Sequence, residues 1–442
     1  MSVDYMNLNG EKCPCGKNHT LSIDKIFVGS KAILNLVPTL KEYGAKSAFI
    51  LSDINTEKVA GSLVKDLLNK ENISFSSYIF KDEHLKPDEK AVGSAVMNFK
   101  STADVIIAVG SGVINDIGKI LSTTSGKKYI IVATAPSMDG YASMGSSMEL
   151  AGVKTSVDSK CPSVIIGDTD ILKNAPLNML KSGLGDMIAK MISIGEWRIS
   201  NLIVNEYYCE NVAKLMKSAV KRCVDNAEGL LKRDEKAVEA VFEGLIIAGA
   251  AMAYAGISRP ASGVEHYFSH VWDMRGLEFG TSTDSHGIQC AIASLYAAKL
   301  YDKIRSIKPD REKAISYIDN FSLTDYHSEL RAFLGKGAET MIELEKKEQK
   351  YNKEKHLSRL EIILDNFDKI IDIINEEIPE SSYIENLLNI IDAPKKVEDI
   401  DIPSSILPLT FKATKDIRDK YVLSRLCFDL GIIDEMSEIL IK

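Results

Sequence analysis

Val105-Ile106-Ile107-Ala108-Val109-Gly110-Ser111-Gly112-Val113-Ile114-Asn115-Asp116 is the stretch that decides the architecture. Five consecutive apolar residues, four of them β-branched, lead straight into Gly-Ser-Gly and then into a pattern that reads helical from about Val113. An apolar run with no polar alternation is a strand buried on both faces, as in a parallel sheet. Working outward, Ser47-Ala48-Phe49-Ile50-Leu51-Ser52-Asp53 is a similar run before a helical pattern at residues 56–72. Residues 73–80 read as extended and 88–100 as helical. Downstream, Tyr129-Ile130-Ile131-Val132-Ala133 ends in Thr134-Ala135-Pro136-Ser137. Strand and helix thus alternate, which implies a largely parallel sheet whose ligands sit at the carboxyl ends of the strands.

After Asp168 the strand-like runs fade, and residues 176–198, 204–232, 234–255 and those from 287 onward show apolar residues at helical spacing. The expected fold class is an α/β N-terminal domain with a largely parallel sheet, followed by an all-α C-terminal domain. The expected division is an N-terminal arm at 1–22, an α/β dinucleotide-binding domain at 23–170 and an all-helical metal and substrate domain at 171–442. Residues 343–355, with dense alternating charge, read as solvated helix faces without chemistry.

A chain of 442 residues, 45% hydrophobic and 26% charged, has a soluble globular balance and room for two or three domains. Its net charge of −8 argues against a general nucleic-acid or anionic-membrane binder, which needs a positive field. No apolar run approaches the roughly 20 residues of a membrane span, and the N-terminus lacks a basic-then-apolar signal, so the cytoplasm is expected. Seven cysteines, five of them scattered, do not read as a disulfide framework.

Gly110-Ser111-Gly112 opening a helix is suited to a pyrophosphate, which needs close backbone approach and a helix N-terminus. Asn115 stands where a G-x-G-x-x-G fingerprint has its third glycine, and a tight βα turn explains the same residues. Thr134 and Ser137 add hydroxyls at the next strand end. Asp53 can accept from an adenosine ribose, favouring NAD(H) over NADP(H), or cap the following helix. Three of the seven histidines, His266, His270 and His286, fall between Ser262 and Gly287. The first two lie one helical turn apart on one face, and His286 follows a loop-like run of Gly276, Gly280, Thr281, Ser282, Thr283 and Asp284. Asp186, in Ser182-Gly183-Leu184-Gly185-Asp186, either caps a helix or joins His266 and His286 as a three-ligand metal site with open positions. Cys13, Cys15 and His19 make a separate cluster, one ligand short of a closed zinc site.

Four strings, Thr134-Ala135-Pro136-Ser137-Met138-Asp139-Gly140-Tyr141-Ala142-Ser143, Gly183-Leu184-Gly185-Asp186, Arg259-Pro260-Ala261-Ser262-Gly263-Val264-Glu265-His266 and Ser285-His286-Gly287, occur in that order. They resemble those of the sn-glycerol-1-phosphate dehydrogenases, relatives of glycerol dehydrogenase, the iron-containing alcohol dehydrogenases and dehydroquinate synthase. The resemblance covers roughly residues 24–300 and is nearest to the bacterial branch, which uses nickel or zinc. It implies a dehydroquinate synthase-like fold and an NAD(P) site at Gly110, Ser111, Gly112, Val113, Ile114, Thr134, Ala135, Pro136, Ser137 and Ser143. It implies Asp186, His266 and His286 as ligands of one divalent ion (nickel or zinc, with iron also accommodated). Asp139, Asp186 and His270 are implied as the substrate-contacting, catalytic group. Ser111 departs from the usual triple glycine.

The implied reaction is reversible reduction of dihydroxyacetone phosphate to sn-glycerol 1-phosphate. Arg259, then Arg198, is the expected partner of the substrate phosphate. The alternative is a glycerol or other polyol dehydrogenase of the same superfamily, and a non-catalytic sensor built on the cysteine cluster is a third reading. The expected partners are a small phosphorylated triose and a second copy in a homodimer, with no nucleic acid and no membrane.

Overall fold

A computed structural model describes residues 8–281 and 284–441. Its strands are β1 (Lys25–Gly29), β2 (Ser47–Asp53), β3 (Ser74–Phe80), β4 (Val105–Gly110), β5 (Lys128–Ala133), β6 (Gly145–Leu150), β7 (Val153–Asp158) and β8 (Val164–Asp168). Six form one sheet in the order β1-β8-β5-β4-β2-β3, every pair parallel. The apolar run that opened the sequence reading is β4, all six residues of which are buried. The chain steps outward one way from β2 to β3, then returns to β4 and steps outward the other way to β5. That reversal puts the topological switch point between β2 and β4, where such sheets bind ligands.

Helices α1 (Leu36–Glu42), α2 (Ile54–Thr56), α3 (Ser62–Lys70), α4 (Glu89–Asn98), α5 (Gly112–Ser125) and α6 (Thr169–Leu172) connect or follow the strands. Leu36, Leu40, Val64 and Leu68 pack with Ile50, Ile107, Ile130 and Ile166 in one apolar cluster on a face of the sheet. The helical part contains α7 (Leu177–Val204), α8 (Glu210–Asp225), α9 (Glu235–Ala255), α10 (Val264–Phe279), α11 (His286–Ile304) and a further series, α12 to α20, between Arg311 and Glu438. Two compact units result. One takes the described residues up to Met187 together with Asn211–Ser258; the other takes Ile188–Glu210 and the residues from Arg259 onward.

Helix α9 is long and apolar enough to cross a membrane, yet 83% of its most apolar window is buried. It is a core helix of the first unit: Phe242 packs so closely on Gly167 of β8 that a Cβ there would come within 2.0 Å of its ring, and it meets Tyr141 edge-on at 5.1 Å.

Three details differ from the sequence reading. The helical pattern at 56–72 divides into α2, a π-turn over Glu57–Gly61 and α3. Gly276 lies inside α10, and the loop begins at Gly280, whose φ of 68° ends that helix; Ser282 and Thr283 of the expected loop lie outside the described residues. An antiparallel hairpin, β6–β7, interrupts the parallel series, with Ala151 and Gly152 both at positive φ in its turn.

Candidate active site

The loops after β4 and β5 are stitched together in the first unit. Thr134 N donates to Gly110 O at 3.1 Å, Ser111 Oγ lies 2.6 Å from Ser137 Oγ, and the buried Tyr141 hydroxyl reaches Ala135 O at 2.6 Å and Ser111 Oγ at 3.2 Å. Gly110 has no room for a side chain, since a Cβ would sit 2.5 Å from the Ile114 Cβ. Gly110, Ser111, Gly112, Val113, Ile114 and the Thr134–Ser137 strand end are thereby brought together at the start of α5. Asn115 is structural: its side chain donates to Gly140 O at 3.1 Å and accepts from the Tyr129 hydroxyl at 3.0 Å.

Ser143 belongs to a different network. Lys119, fully buried, donates to Gly140 O, Ser143 Oγ and Gly145 O, and pairs with Asp116 at 3.1 Å. Burial raises the Asp116 pKa against the lowering effect of that ammonium. Asp53 Oδ1 accepts from Asn55 N and Thr56 N, each at 2.8 Å, in a capping box at the start of α2. The cap reading of Asp53 is therefore realised, at a strand end that still adjoins the switch point.

Helix α7 begins against the same loop. Ser182 Oγ donates to Ser137 O at 2.9 Å, and a Cβ on Gly183 would fall 1.8 Å from Pro136 O, so only glycine permits this approach. Asp186, fully buried, follows one turn later and accepts from the backbone N of Asp139 at 2.9 Å. The Asp139 amide thus fixes the rotamer of the Asp186 carboxylate.

In the second unit α10 and α11 carry the histidines. Glu265 Oε1 accepts from His266 Nδ1 and from Gly263 N, both at 2.8 Å. A proton on Nδ1 leaves the lone pair on His266 Nε2, which lies 3.4 Å from Lys190 Nζ. Ser269 Oγ meets His286 Nδ1 at 3.1 Å, and Cys290 Sγ lies 3.6 Å from the other nitrogen of that ring. The rings of His266 and His286 are 5.1 Å apart, and His270 stacks on His286 at 6.2 Å. Donor atoms of His266, His286 and Cys290 lie within 4.8 Å of one another. Lys190 and Asp186 occupy i and i−4 on one unbroken helix, so they share a face.

Behind Glu265 stands a second buried acid, Glu196, which accepts from Val264 N, Leu423 N and the Tyr301 hydroxyl. Burial and the neighbouring Glu265 charge push its pKa up to about 7. Arg259 is fully buried, with Nε on Glu206 at 2.8 Å and Nη2 on Tyr421 O. It anchors the second unit internally, and its Nη1 is buried without a hydrogen-bond partner among the described residues. Arg198 pairs with Glu376 at 2.6 Å and Glu377 at 2.7 Å. Both arginines, expected as partners of a substrate phosphate, are held by acidic side chains within the second unit.

Residues 27–176 match the family model described as iron-containing alcohol dehydrogenase. A protein of Halalkalibacterium halodurans named glycerol-1-phosphate dehydrogenase [NAD(P)+] is 31% identical over 416 residues, covering 93% of this chain and 94% of its own. The chain belongs to the glycerol-1-phosphate dehydrogenase family. The Bacillus subtilis protein of the same name is 30% identical over 308 residues, covering 68% of this chain and 78% of its own. Glycerol dehydrogenase from Schizosaccharomyces pombe (TM-score 0.60, 16% identity, 95% of this chain and 90% of that one) shares the fold. So does an iron-containing alcohol dehydrogenase from Thermococcus thioreducens (TM-score 0.62, 13% identity, 95% and 99%).

For this member of the glycerol-1-phosphate dehydrogenase family, sequence reasoning missed Cys290, Lys190, Glu265, Ser269 and Lys119. Cys290 was visible in principle, since it stands four residues after His286 in α11 and thus on the same face. Lys190 and Lys119 carried no signal, because nothing in a sequence marks which lysine will be fully buried.

Proposed function

We propose that this chain interconverts dihydroxyacetone phosphate and sn-glycerol 1-phosphate with NAD(P)(H), and that Asp186, His266 and His286 hold one divalent metal ion. The carrying observation is the pair of oriented imidazoles: Glu265 holds His266 through Nδ1 and Ser269 holds His286 through Nδ1, as neighbouring polar groups hold the rings of metal-ligating histidines. One carboxylate and two imidazoles suit nickel, zinc or iron, and the Cys290 thiol adds a softer donor beside His286. A divalent ion held by Asp186, His266 and His286 would supply Lewis-acid polarisation of the substrate carbonyl, and a nicotinamide cofactor would supply the hydride.

The chain's own residues do the rest. Asp139 N–H orients Asp186, and Glu265 and Ser269 orient the histidines. His270, stacked on His286, delivers or takes the proton of the carbinol oxygen, directly or through water. Gly110, Ser111 and Gly112 at the N-terminus of α5 receive the pyrophosphate, with Ser137 beside them. Asp53, keeping Oδ2 beyond its capping bonds, receives the adenosine ribose and disfavours a 2′-phosphate, so NAD(H) is the preferred cofactor. The test is NADH oxidation with dihydroxyacetone phosphate by chelator-stripped protein, before and after nickel or zinc. Turnover that returns with metal and vanishes in His266→Ala, together with loss of one bound ion, supports the reading. Turnover unchanged by chelation refutes the metal, and turnover on glycerol but not on the phosphate refutes the substrate.

A further inference from the structure

Cys13, Cys15 and His19 take no part in the chemistry above, yet the fold gathers them. Gly16 N donates to Cys13 O at 3.0 Å, and Gly16 adopts φ 86°, a left-handed conformation suited to glycine. Cys13 N then reaches Lys17 O, and an antiparallel bridge joins Lys12 to Asn18. This tight knuckle brings the donor atoms of Cys13, Cys15 and His19 within 4.8 Å of one another.

The knuckle docks on the C-terminal end of α9, whose last carbonyls have no partner within the helix. Lys17 Nζ donates to Ala255 O at 2.8 Å, and His19 Nδ1 bonds Tyr254 O at 3.0 Å. The second bond assigns the His19 proton to Nδ1 and leaves the lone pair on Nε2, 3.6 Å from Cys15 Sγ. His19 is fully buried and Cys13 nearly so. A buried imidazole with one nitrogen tied to a backbone carbonyl and the other turned to thiols is the arrangement of a metal ligand.

A closed zinc site needs a fourth donor, and α8 brings one. Asn211, in the first turn of α8, donates Nδ2–H to Cys13 Sγ at 3.3 Å. Cys209 stands just two residues before Asn211, at most about 7 Å along the chain, and is 1% exposed. We propose that Cys13, Cys15, His19 and Cys209 bind one zinc ion as a closed structural site, separate from the proposed active-site metal. Three thiolates and a neutral imidazole match the Cys₃His set of tetrahedral structural zinc, and binding expels three thiol protons. The Asn211 amide stabilises the Cys13 thiolate, and the Lys17 ammonium in the same knuckle offsets the net negative charge of the site. With four protein ligands this zinc has no open position for substrate. Its effect is to pin the N-terminal arm to the ends of α8 and α9.

The test is zinc content of the full-length protein, measured by elemental analysis in a His266→Ala background so that the other metal does not contribute. One zinc per chain is expected, falling to none in Cys15→Ser and in Cys209→Ser but not in Cys161→Ser. Cobalt exchanged for the zinc should show the thiolate-to-cobalt charge-transfer and tetrahedral ligand-field bands, lost in the same two variants. Should the variants fail to fold, alkylation of the otherwise unaltered chain decides: chelation should increase labelling of Cys13, Cys15 and Cys209 together, as mapped by mass spectrometry. Zinc content unaffected by either substitution, or thiol labelling indifferent to chelation, would overturn the proposal.

Discussion

Alanine at Gly183 should destabilise the first unit, although Gly→Ala within a helix ordinarily stabilises. A Cβ at 183 would lie 1.8 Å from Pro136 O, 2.9 Å from Pro136 C and 3.0 Å from Val241 Cγ1. Two of those atoms are backbone, so no rotamer change relieves the clash. Reaching ordinary contact requires α7 and the loop after β5 to part by about 1.5 Å, judged against the close packing of protein interiors. The same separation stretches the Ser182–Ser137 bond and the Asp139–Asp186 bond, both 2.9 Å now. Overpacking costs about 1–3 kcal/mol and the two strained hydrogen bonds add about 1–3 more, against a gain of about 0.5–1 in helix propensity. The net is a loss of roughly 1–5 kcal/mol, or roughly 2–20 °C in melting temperature for a unit of this size. Gly93→Ala is the control, because Gly93 lies inside α4 with nothing within 4 Å of its would-be Cβ. It should gain about 0.5–1 kcal/mol. Thermal melts of both variants, with NADH affinity measured in parallel, read the contrast. Gly183→Ala melting at or above the unaltered chain with the same NADH affinity would refute the close-approach reasoning.

Two further outcomes are expected. Asp53→Asn keeps an N-cap for α2 but removes the charge, so stability should barely change while affinity for NADP(H) relative to NAD(H) rises roughly 5–20-fold, as loss of one partly screened like charge allows; an unchanged ratio measured by cofactor titration removes Asp53 from the ribose site. Burial pushes the Lys415 pKa down to about 7 from an ordinary 10.5, although Asp416 lies 3.2 Å away. The unfolded chain therefore binds a proton that the folded chain does not between pH 10.5 and 7. This group's contribution is present above that window and is lost as pH falls through it, by up to about 1.4 kcal/mol per pH unit. Relative to Lys415→Met, which leaves Asp416 paired with Arg425, denaturant midpoints should fall between pH 10 and 7; parallel pH profiles would contradict the assignment.

What could be read from the sequence follows burial. Strands β4 and β5 announced themselves because both faces are covered and every inward position is apolar. Edge strand β1 is mostly half-buried and carries only the three-residue apolar run Ile26-Phe27-Val28, and β7 has no fully buried residue and no apolar run. The β6–β7 turn uses Ala151 at φ 50°, where Asn or Gly would have signalled a hairpin. Within the site, residue type exposed His266 and His286 because imidazoles are rare here and chemically particular. Glu265 and Ser269 remained hidden because their role is defined by which ring nitrogen they hold, a three-dimensional fact. Cys209 was hidden for a related reason: it lies 190 residues from His19 in the chain, and only the approach of α8 to the knuckle makes it relevant.

The interleaved composition of the two units sets an order on biosynthesis. Once Ser258 has left the ribosome, every segment of the first unit is available, and its parallel sheet can close around α9. The stretch Ile188–Glu210 has emerged by then, but the residues it folds with run from Arg259 to Lys442. At about 5–20 residues per second the wait is roughly 10–40 s. Throughout it, Ile192, Ile194, Trp197 and Ile199, all buried in the finished protein, are on a nascent chain without their later neighbours. That half-helix is the natural address for a chaperone, and a codon-usage or truncation experiment that lengthens the delay should raise aggregation without altering a single contact of the native state.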